Sequence, residues 1–305
     1  MTSYERGNSI TAVIPTRNRP QDLIAAVKSI SVQTHLPDEL LIVDQSLGDE
    51  SYDLVNSYML EFASIKLTYV HDSLILGLVD AKRVAVDRAE GDIVCFLEDD
   101  VVLELDFIEE IMLGFAAKPN MLGCCGVITN PPNQTFLYKF LFDLFHCGIF
   151  RDVRVSLHGN LNSQSDFIKS NMLSGGLSAW RAEVFKVIKF DVKNHFHMFE
   201  DIDFSTRADE YFGPQFYINP KARLAHNCSL INRAVLGELQ RRKLTEFIIY
   251  YKKRKHLPHA TISFLWLLVG MMFEAVFQSF SAFSLDPIKG YFSGVKNGLL
   301  TKLVF

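Results

Sequence analysis

No Cys-x-x-Cys pair, no glycine-rich phosphate loop after the first apolar segment and no excess of basic charge occur in this 305-residue chain. The five cysteines, Cys95, Cys124, Cys125, Cys147 and Cys228, are odd in number. That count argues against a disulfide framework or a zinc site and for a reducing cytoplasm. A net charge of -4 argues against a nucleic-acid partner, whose binders are usually basic. The first residues carry no apolar run of the signal-peptide kind, so no signal peptide is expected. What the chain does have is apolar mass: a hydrophobic fraction of 49%, with 25 Phe, against 22% charged residues. That balance supports a substantial core.

Short apolar runs alternate with helical patterns through the first half. Ile10 to Ile14 reads as a strand stopped by Pro15, and 21–33 as an amphipathic helix. Leu40 to Val43 is a second strand ending at Asp44. A helix over 51–62 leads to a third strand near Ile65 to Val70. Gly77 opens a helix through Ala89, with Gly91 as its C-cap, and 92–97 is the next strand. A helix at 104–116 and an apolar stretch at 121–128 continue the alternation. It implies βαβ units and an α/β fold with a mostly parallel sheet. Residues 130–170 break the pattern, and the Phe-rich stretch 136–150 reads as a helix or lid element. Regularity returns with Gly175-Gly176, a helix after Trp180, a helix from Glu200, and short strands near 215–219 and 222–226.

The chemistry concentrates where Ile-Val-Cys-Phe-Leu meets Glu98, Asp99 and Asp100. Open α/β sheets bind ligands at the carboxyl ends of their strands. Adjacent carboxylates repel unless a cation compensates, and clustered oxygens suit Mg2+ or Mn2+. Further candidates flank this point. The segment Pro15-Thr16-Arg17-Asn18-Arg19 offers the backbone N–H groups after Pro15 and two guanidinium groups to phosphates. Asp44 ends a strand, where it can accept from a nucleobase or cap a helix. Lys82 or Arg83 can reach a diphosphate or simply face solvent. Glu200, Asp201 and Asp203 form a second acid cluster, suited to general-base work or to a helix first turn. His226 can complete an oxygen-rich metal site, and His195 and His197 form an HxH pair.

The order Val-Ile-Pro-Thr-Arg-Asn-Arg, Leu-Ile-Val-Asp-Gln-Ser, Gly-x-x-x-Ala-Lys-Arg, Phe-Leu-Glu-Asp-Asp, Gly-Gly-x-x-Ala-x-Arg, Phe-Glu-Asp-Ile-Asp and Ala-His resembles the family-two glycosyltransferases. These are inverting enzymes with a GT-A fold, and the resemblance covers about residues 9–230. It implies a GT-A-type nucleotide-binding sheet with flanking helices as the catalytic domain, 1–230. It implies a nucleotide-diphosphate sugar donor, a saccharide or lipid-linked acceptor, and envelope polysaccharide synthesis as the setting. Asp100 and His226 are the implied metal ligands. Pro15, Thr16, Arg19, Asp44, Lys82, Glu98 and Asp99 lie on the donor side, with Glu98 near the ribose or the metal. Asp201 is the implied base and Glu200 the fallback. Glu98 stands where Asp is more usual, and Lys82-Arg83 replaces the commoner Arg-Asn. Two rivals are a sugar-phosphate nucleotidyltransferase, whose glycine-rich loop is missing here, and a non-catalytic scaffold of the same fold.

Residues 231–305 form a helical, apolar tail. A basic run (Arg241, Arg242, Lys243, Lys252, Lys253, Arg254, Lys255) precedes an apolar stretch at 261–283 that holds Glu274 and Gln278. Its length approaches the roughly 20 residues of a membrane span. Three readings stand: a helix lying on the inner leaflet of the cell membrane, a span, or a packing helix that also serves a homo-oligomer.

Overall fold

The computed structural model describes residues 8–60, 64–131, 136–152, 154, 166–194, 196, 198–228 and 234–304. The chain divides into two compact units. The first comprises Met1–Pro131, Leu157–Phe190 and Phe204–Ile231, and the second Pro132–Ser156, Asp191–Asp203 and Asn232–Phe305.

The first unit is built on one sheet. Strand β1 (Ile10–Thr16) lies between β2 (Glu39–Asp44) and β4 (Ile93–Leu97), parallel to both, and β3 (Lys66–His71) extends β2. Helices α1 (Pro20–Ser31), α2 (Glu50–Met59) and α3 (Gly77–Arg88) make the crossovers. This is the parallel half that the alternation predicts. Beyond β4 the sheet becomes mixed. Strand β8 (Leu177–Arg181) runs antiparallel between β4 and β6 (Gly123–Ile128). Strand β9 (Phe216–His226) runs parallel to β6 and antiparallel to the short β5 (Val101–Leu103) and β7 (Ile168–Lys169). Helix α4 (Phe107–Ala117) precedes β6, and the one-turn α6 (Val184–Val187) follows β8.

Three local expectations are corrected. Pro15 does not stop β1, which runs on through Thr16. Pro15 lies beyond Val13, the last residue paired with β4, where a missing donor costs the ladder little. Gly91 is no left-handed cap, for it lacks the positive φ of Gly77, Gly148 and Gly213. It is a close-approach glycine: a Cβ there would lie 2.6 Å from the Thr11 nitrogen. The two short strands at 215–226 are one strand, β9, whose pairing with β6 shifts register between Cys125 and Val127.

Apolar strands and the inner helix faces close the core, with Ile10, Ile14, Leu23, Val27, Ile42 and Leu97 buried. Part of the Phe excess fills a second layer. There Phe190 stacks on Phe204 at 4.6 Å between centroids, and Trp180 meets Phe204 edge-on at 5.0 Å.

The second unit is helical: α5 (Phe136–Phe145), a 3-10 turn at Gly148–Phe150, α8 (Leu236–Arg254), α9 (Ala260–Ser281) and α10 (Asp286–Leu300). It also takes residues 200–203, the start of α7 (Glu200–Phe212). Helix α10 falls within the helical tail expected over 231–305, although its glycines weaken the signal for a separate helix. Those glycines are a packing seam. A Cβ at Gly294 would fall 2.7 Å from Leu244 Cβ, and one at Gly298 would fall 2.7 Å from Ile248 Cβ, both on α8.

The basic run of α8 is mostly consumed internally. Lys253 pairs with Asp191 at 2.7 Å and Asp203 at 2.6 Å, and Lys243 with Glu274 at 2.8 Å. Arg242 pairs with Glu238 at 2.6 Å, and Lys252 donates to the Gly298, Leu299 and Thr301 carbonyls that end α10. These charges lock the helices together and offer little to a lipid headgroup.

Candidate active site

The first unit carries a cluster at the carboxyl end of β4. Backbone pairing assembles it: β5 and β9 run antiparallel with Val101 opposite His226, and the Asn227 N–H donates to the Asp100 carbonyl at 2.8 Å. A residue 126 positions downstream is thereby brought to the acids. His226 Nε2 lies 2.9 Å from Glu98 Oε2 and 3.1 Å from Asp100 Oδ1. Hydrogen bonds to Asp100 and then Glu98 push the imidazole up to about 10, against an ordinary 6.5. A proton shared with two carboxylates thus holds the place a cation would take.

The residues fit a divalent ion. One ligand atom each from Glu98, Asp100 and His226 lies within 4.8 Å of the others. Two carboxylates and one imidazole suit Mn2+, with Mg2+ favouring an all-oxygen set. Glu98 therefore stands among the groups that could hold such an ion. An ion bound there would take neutral His226, so its binding would release the imidazole proton. Apparent Mn2+ affinity should then rise between pH 6.5 and 8, approaching about tenfold per unit. Calorimetric titration at several pH values checks this, and a flat profile would remove His226 from the ligand set. Without metal the same shift stabilises the fold fully below pH 6.5, and that contribution is lost as pH rises through about 10.

Asp99 turns the other way. Its carboxylate accepts from Thr16 Oγ1 at 2.8 Å and from Arg19 at 2.9 Å. Burial pushes it up to about 6, outweighing the opposing pull of Arg19. Asp99 thus ties the 15–19 segment to the metal cluster, and Arg19 also lies 3.7 Å from Asp100. Pro15 is buried in β1.

Asp44 is fully buried at the end of β2. It accepts from the Ser46 N–H at 2.8 Å and from Tyr69 Oη at 2.7 Å. Burial and this carboxylate push the Tyr69 hydroxyl well up, so Tyr69 remains a donor at any working pH. Tyr69 and Ser46 escaped the sequence reading, as isolated polar residues give no spacing signal.

Lys82 is buried and donates to the Gly175 carbonyl at 3.0 Å, beside the Phe96 ring. Arg83 forms surface pairs with Asp80 and Asp87. Gly176 faces Glu98: its carbonyl accepts from the Glu98 N–H at 3.2 Å, and an added Cβ would collide with the Glu98 carboxylate. The Gly-Gly turn positions the Glu98 carboxylate. Gly176→Ala should weaken Mn2+ affinity by about 10- to 100-fold, as for other residues that orient ligands. Unchanged Mn2+ affinity in that variant would show that Glu98 does not need the space.

In the second unit, Asp201 Oδ2 lies 2.6 Å from Arg154, and Oδ1 accepts from the Ile202 N–H at 2.7 Å. Arg154 also forks onto Asp152 at 2.8 Å. These carboxylates hold the buried guanidinium firmly charged. Glu246 accepts from the N–H groups of Met198 and Phe199, fixing the entry to α7. Glu200 is buried. Arg154, Asp152 and Glu246 had no signature in the sequence. His195 and His197 lie outside the described residues.

A mixed sheet with a metal-competent acid and histidine cluster beyond β4 is the GT-A type of nucleotide-sugar transferase fold. The chain belongs to glycosyl transferase family 2, whose model matches residues 11–188. It is similar to the putative colanic acid biosynthesis glycosyl transferase WcaA of Escherichia coli K12, 22% identical over 81% of both chains. It is 26% identical to the E. coli UDP-Glc:alpha-D-GlcNAc-diphosphoundecaprenol beta-1,3-glucosyltransferase WfgD, over 43% of this chain and 50% of that protein. Among solved structures, the mannosyltransferase PcManGT of Pyrobaculum calidifontis, in complex with GDP-Man and Mn2+, shares the fold. The TM-score is 0.62 at 13% identity, over 97% of this chain and 88% of that one.

Proposed function

We propose that this glycosyltransferase is metal-dependent and inverting, and that it moves a sugar from a nucleotide-diphosphate donor to a saccharide or lipid-linked acceptor. The observation that carries the reading is the Glu98, Asp100 and His226 cluster, with Arg19 alongside. Glu98, Asp100 and His226 would hold Mn2+ or Mg2+, which would supply Lewis-acid stabilisation for a diphosphate leaving group. Arg19, fixed by Asp99, adds positive charge for the phosphates. Asp44, oriented by Tyr69 and Ser46, receives the donor base. Asp201, its carboxylate directed by Arg154, takes the acceptor hydroxyl proton as that oxygen attacks the anomeric carbon. The relatives named for colanic acid biosynthesis and for a diphosphoundecaprenol-linked acceptor support a setting in envelope polysaccharide synthesis.

The test is release of nucleoside diphosphate from a panel of UDP-, GDP-, dTDP- and CDP-sugars, with and without Mn2+. Metal-dependent release from one sugar nucleotide is expected, with the product's anomeric configuration inverted by NMR. Retention of configuration would overturn the mechanism. Failure of every donor would favour a non-catalytic scaffold.

A further inference from the structure

Helix α9 combines two properties rarely joined in a well-packed helix. It is long and apolar enough to cross a membrane, about 33 Å at 1.5 Å per residue, yet only 33% of its apolar window is buried. Its polar side chains turn inward. Glu274 pairs with Lys243, and Gln278 accepts from Gln240 at 3.0 Å. The outward stripe is then Ile262, Leu265, Val269, Phe273, Phe277 and Phe280, all exposed. Beside it stands α5, with Phe136, Leu137 and Phe140 exposed. Gly270 allows this neighbourhood, since a Cβ there would strike Phe145. Trp266 Nε1 closes the seam by donating to the Leu144 carbonyl at 2.7 Å.

Between α5 and α9 lies a cavity of about 500 Å3, within the usual range of small-molecule sites. Leu141, Phe142, Phe145, Met271, Phe273 and Phe277 line most of it. Two polar groups in its wall are engaged: Lys243 on Glu274, and His146 on the Phe142 carbonyl and ring. A protein partner would ask for about one hydrogen bond per 100–200 Å2 of interface. The stripe from Ile262 to Phe280 offers hydrocarbon, with the Trp266 donor already spent. Hydrocarbon solvent asks for this, because an unmet polar group there is costly.

We propose that the α5–α9 stripe rests in the hydrocarbon edge of a bilayer and that the cavity between these helices takes a phospholipid acyl chain. The proposal deepens the membrane-surface reading above by naming the surface and its ligand. It explains why Glu274 and Gln278 are tied to α8 while the large Phe side chains face out.

Trp266 is the built-in reporter, its ring tilted against Phe145 of the cavity wall at 5.0 Å between centroids. Full-length protein is mixed with phosphatidylethanolamine and phosphatidylglycerol vesicles whose acyl chains are brominated. Quenching of Trp266 fluorescence is expected, absent in Trp266→Phe. Phe277→Asp and Leu141→Asp should each weaken vesicle binding at least about tenfold, the scale of exposing one large apolar side chain. Absence of quenching in the wild type overturns the proposal. So does Phe277→Asp binding vesicles as the wild type does, or converting a vesicle-indifferent dimer to monomer. Nucleotide-dependent melting is read separately on the same samples. Its loss alone sinks the transferase reading and leaves the lipid site standing.

Discussion

Asp100→Ala should lower turnover by on the order of 1,000-fold and remove the metal-dependent part of nucleotide affinity. The metal's stabilisation of a leaving diphosphate is worth several kcal/mol, and about 4 kcal/mol corresponds to that factor. Asp100 carries the effect because of its position. Its side chain is almost fully buried, one oxygen is 3.1 Å from His226, and the other lies on the Arg19 side. No neighbouring carboxylate can replace it, since Asp99 is already engaged by Thr16 and Arg19. The fold should survive, for the β5 and β9 pairing uses backbone groups. Circular dichroism confirms that, and titration of nucleoside diphosphate in Mn2+ reads the affinity. A variant with unchanged nucleotide affinity in Mn2+ would show that Asp100 holds no metal.

Asp201→Asn should have the opposite signature, a fall in kcat of about 100- to 10,000-fold with donor affinity retained. The substitution keeps the shape and the acceptor for the Ile202 N–H while removing basicity. Its structural consequence is also specific. Arg154 loses one of two carboxylates around a buried guanidinium, and removing one partner of such a pair is destabilising. Melting temperature should therefore fall, and kcat must be compared below both transitions. Turnover near that of the wild type would pass the base role to Glu200 or to another group.

The parallel half of the sheet was legible because β1, β2 and β4 are buried along their whole length and bounded by Asp44, Gly77 and the acids. The cluster was legible in part. Glu98, Asp99 and Asp100 announce themselves by adjacency, whereas the role of His226 depends on the β5 and β9 register. Strand β8 was missed because Leu-Ser-Ala-Trp-Arg is too short to show a period, yet it sits between β4 and β6. The bounds of helix α10 within the helical tail were not legible because glycine lowers helical propensity while serving close packing. Charges in a run were the least readable feature. Lys82, and the cations of α8, look solvated or ligand-facing in one dimension. Their partners Gly175, Asp191, Asp203 and Glu274 come from distant segments.

The most direct measurement is a melting scan with UDP, GDP, dTDP and CDP, each with and without Mn2+. A ligand at a hundredfold excess over its dissociation constant stabilises by about 2.7 kcal/mol. For a chain of 305 residues that is a rise of roughly 4 °C. The account predicts such a rise for one nucleotide, present with Mn2+ and absent both without it and in Asp100→Ala. An equal rise with and without the metal would contradict the assignment of Glu98, Asp100 and His226 as its ligands.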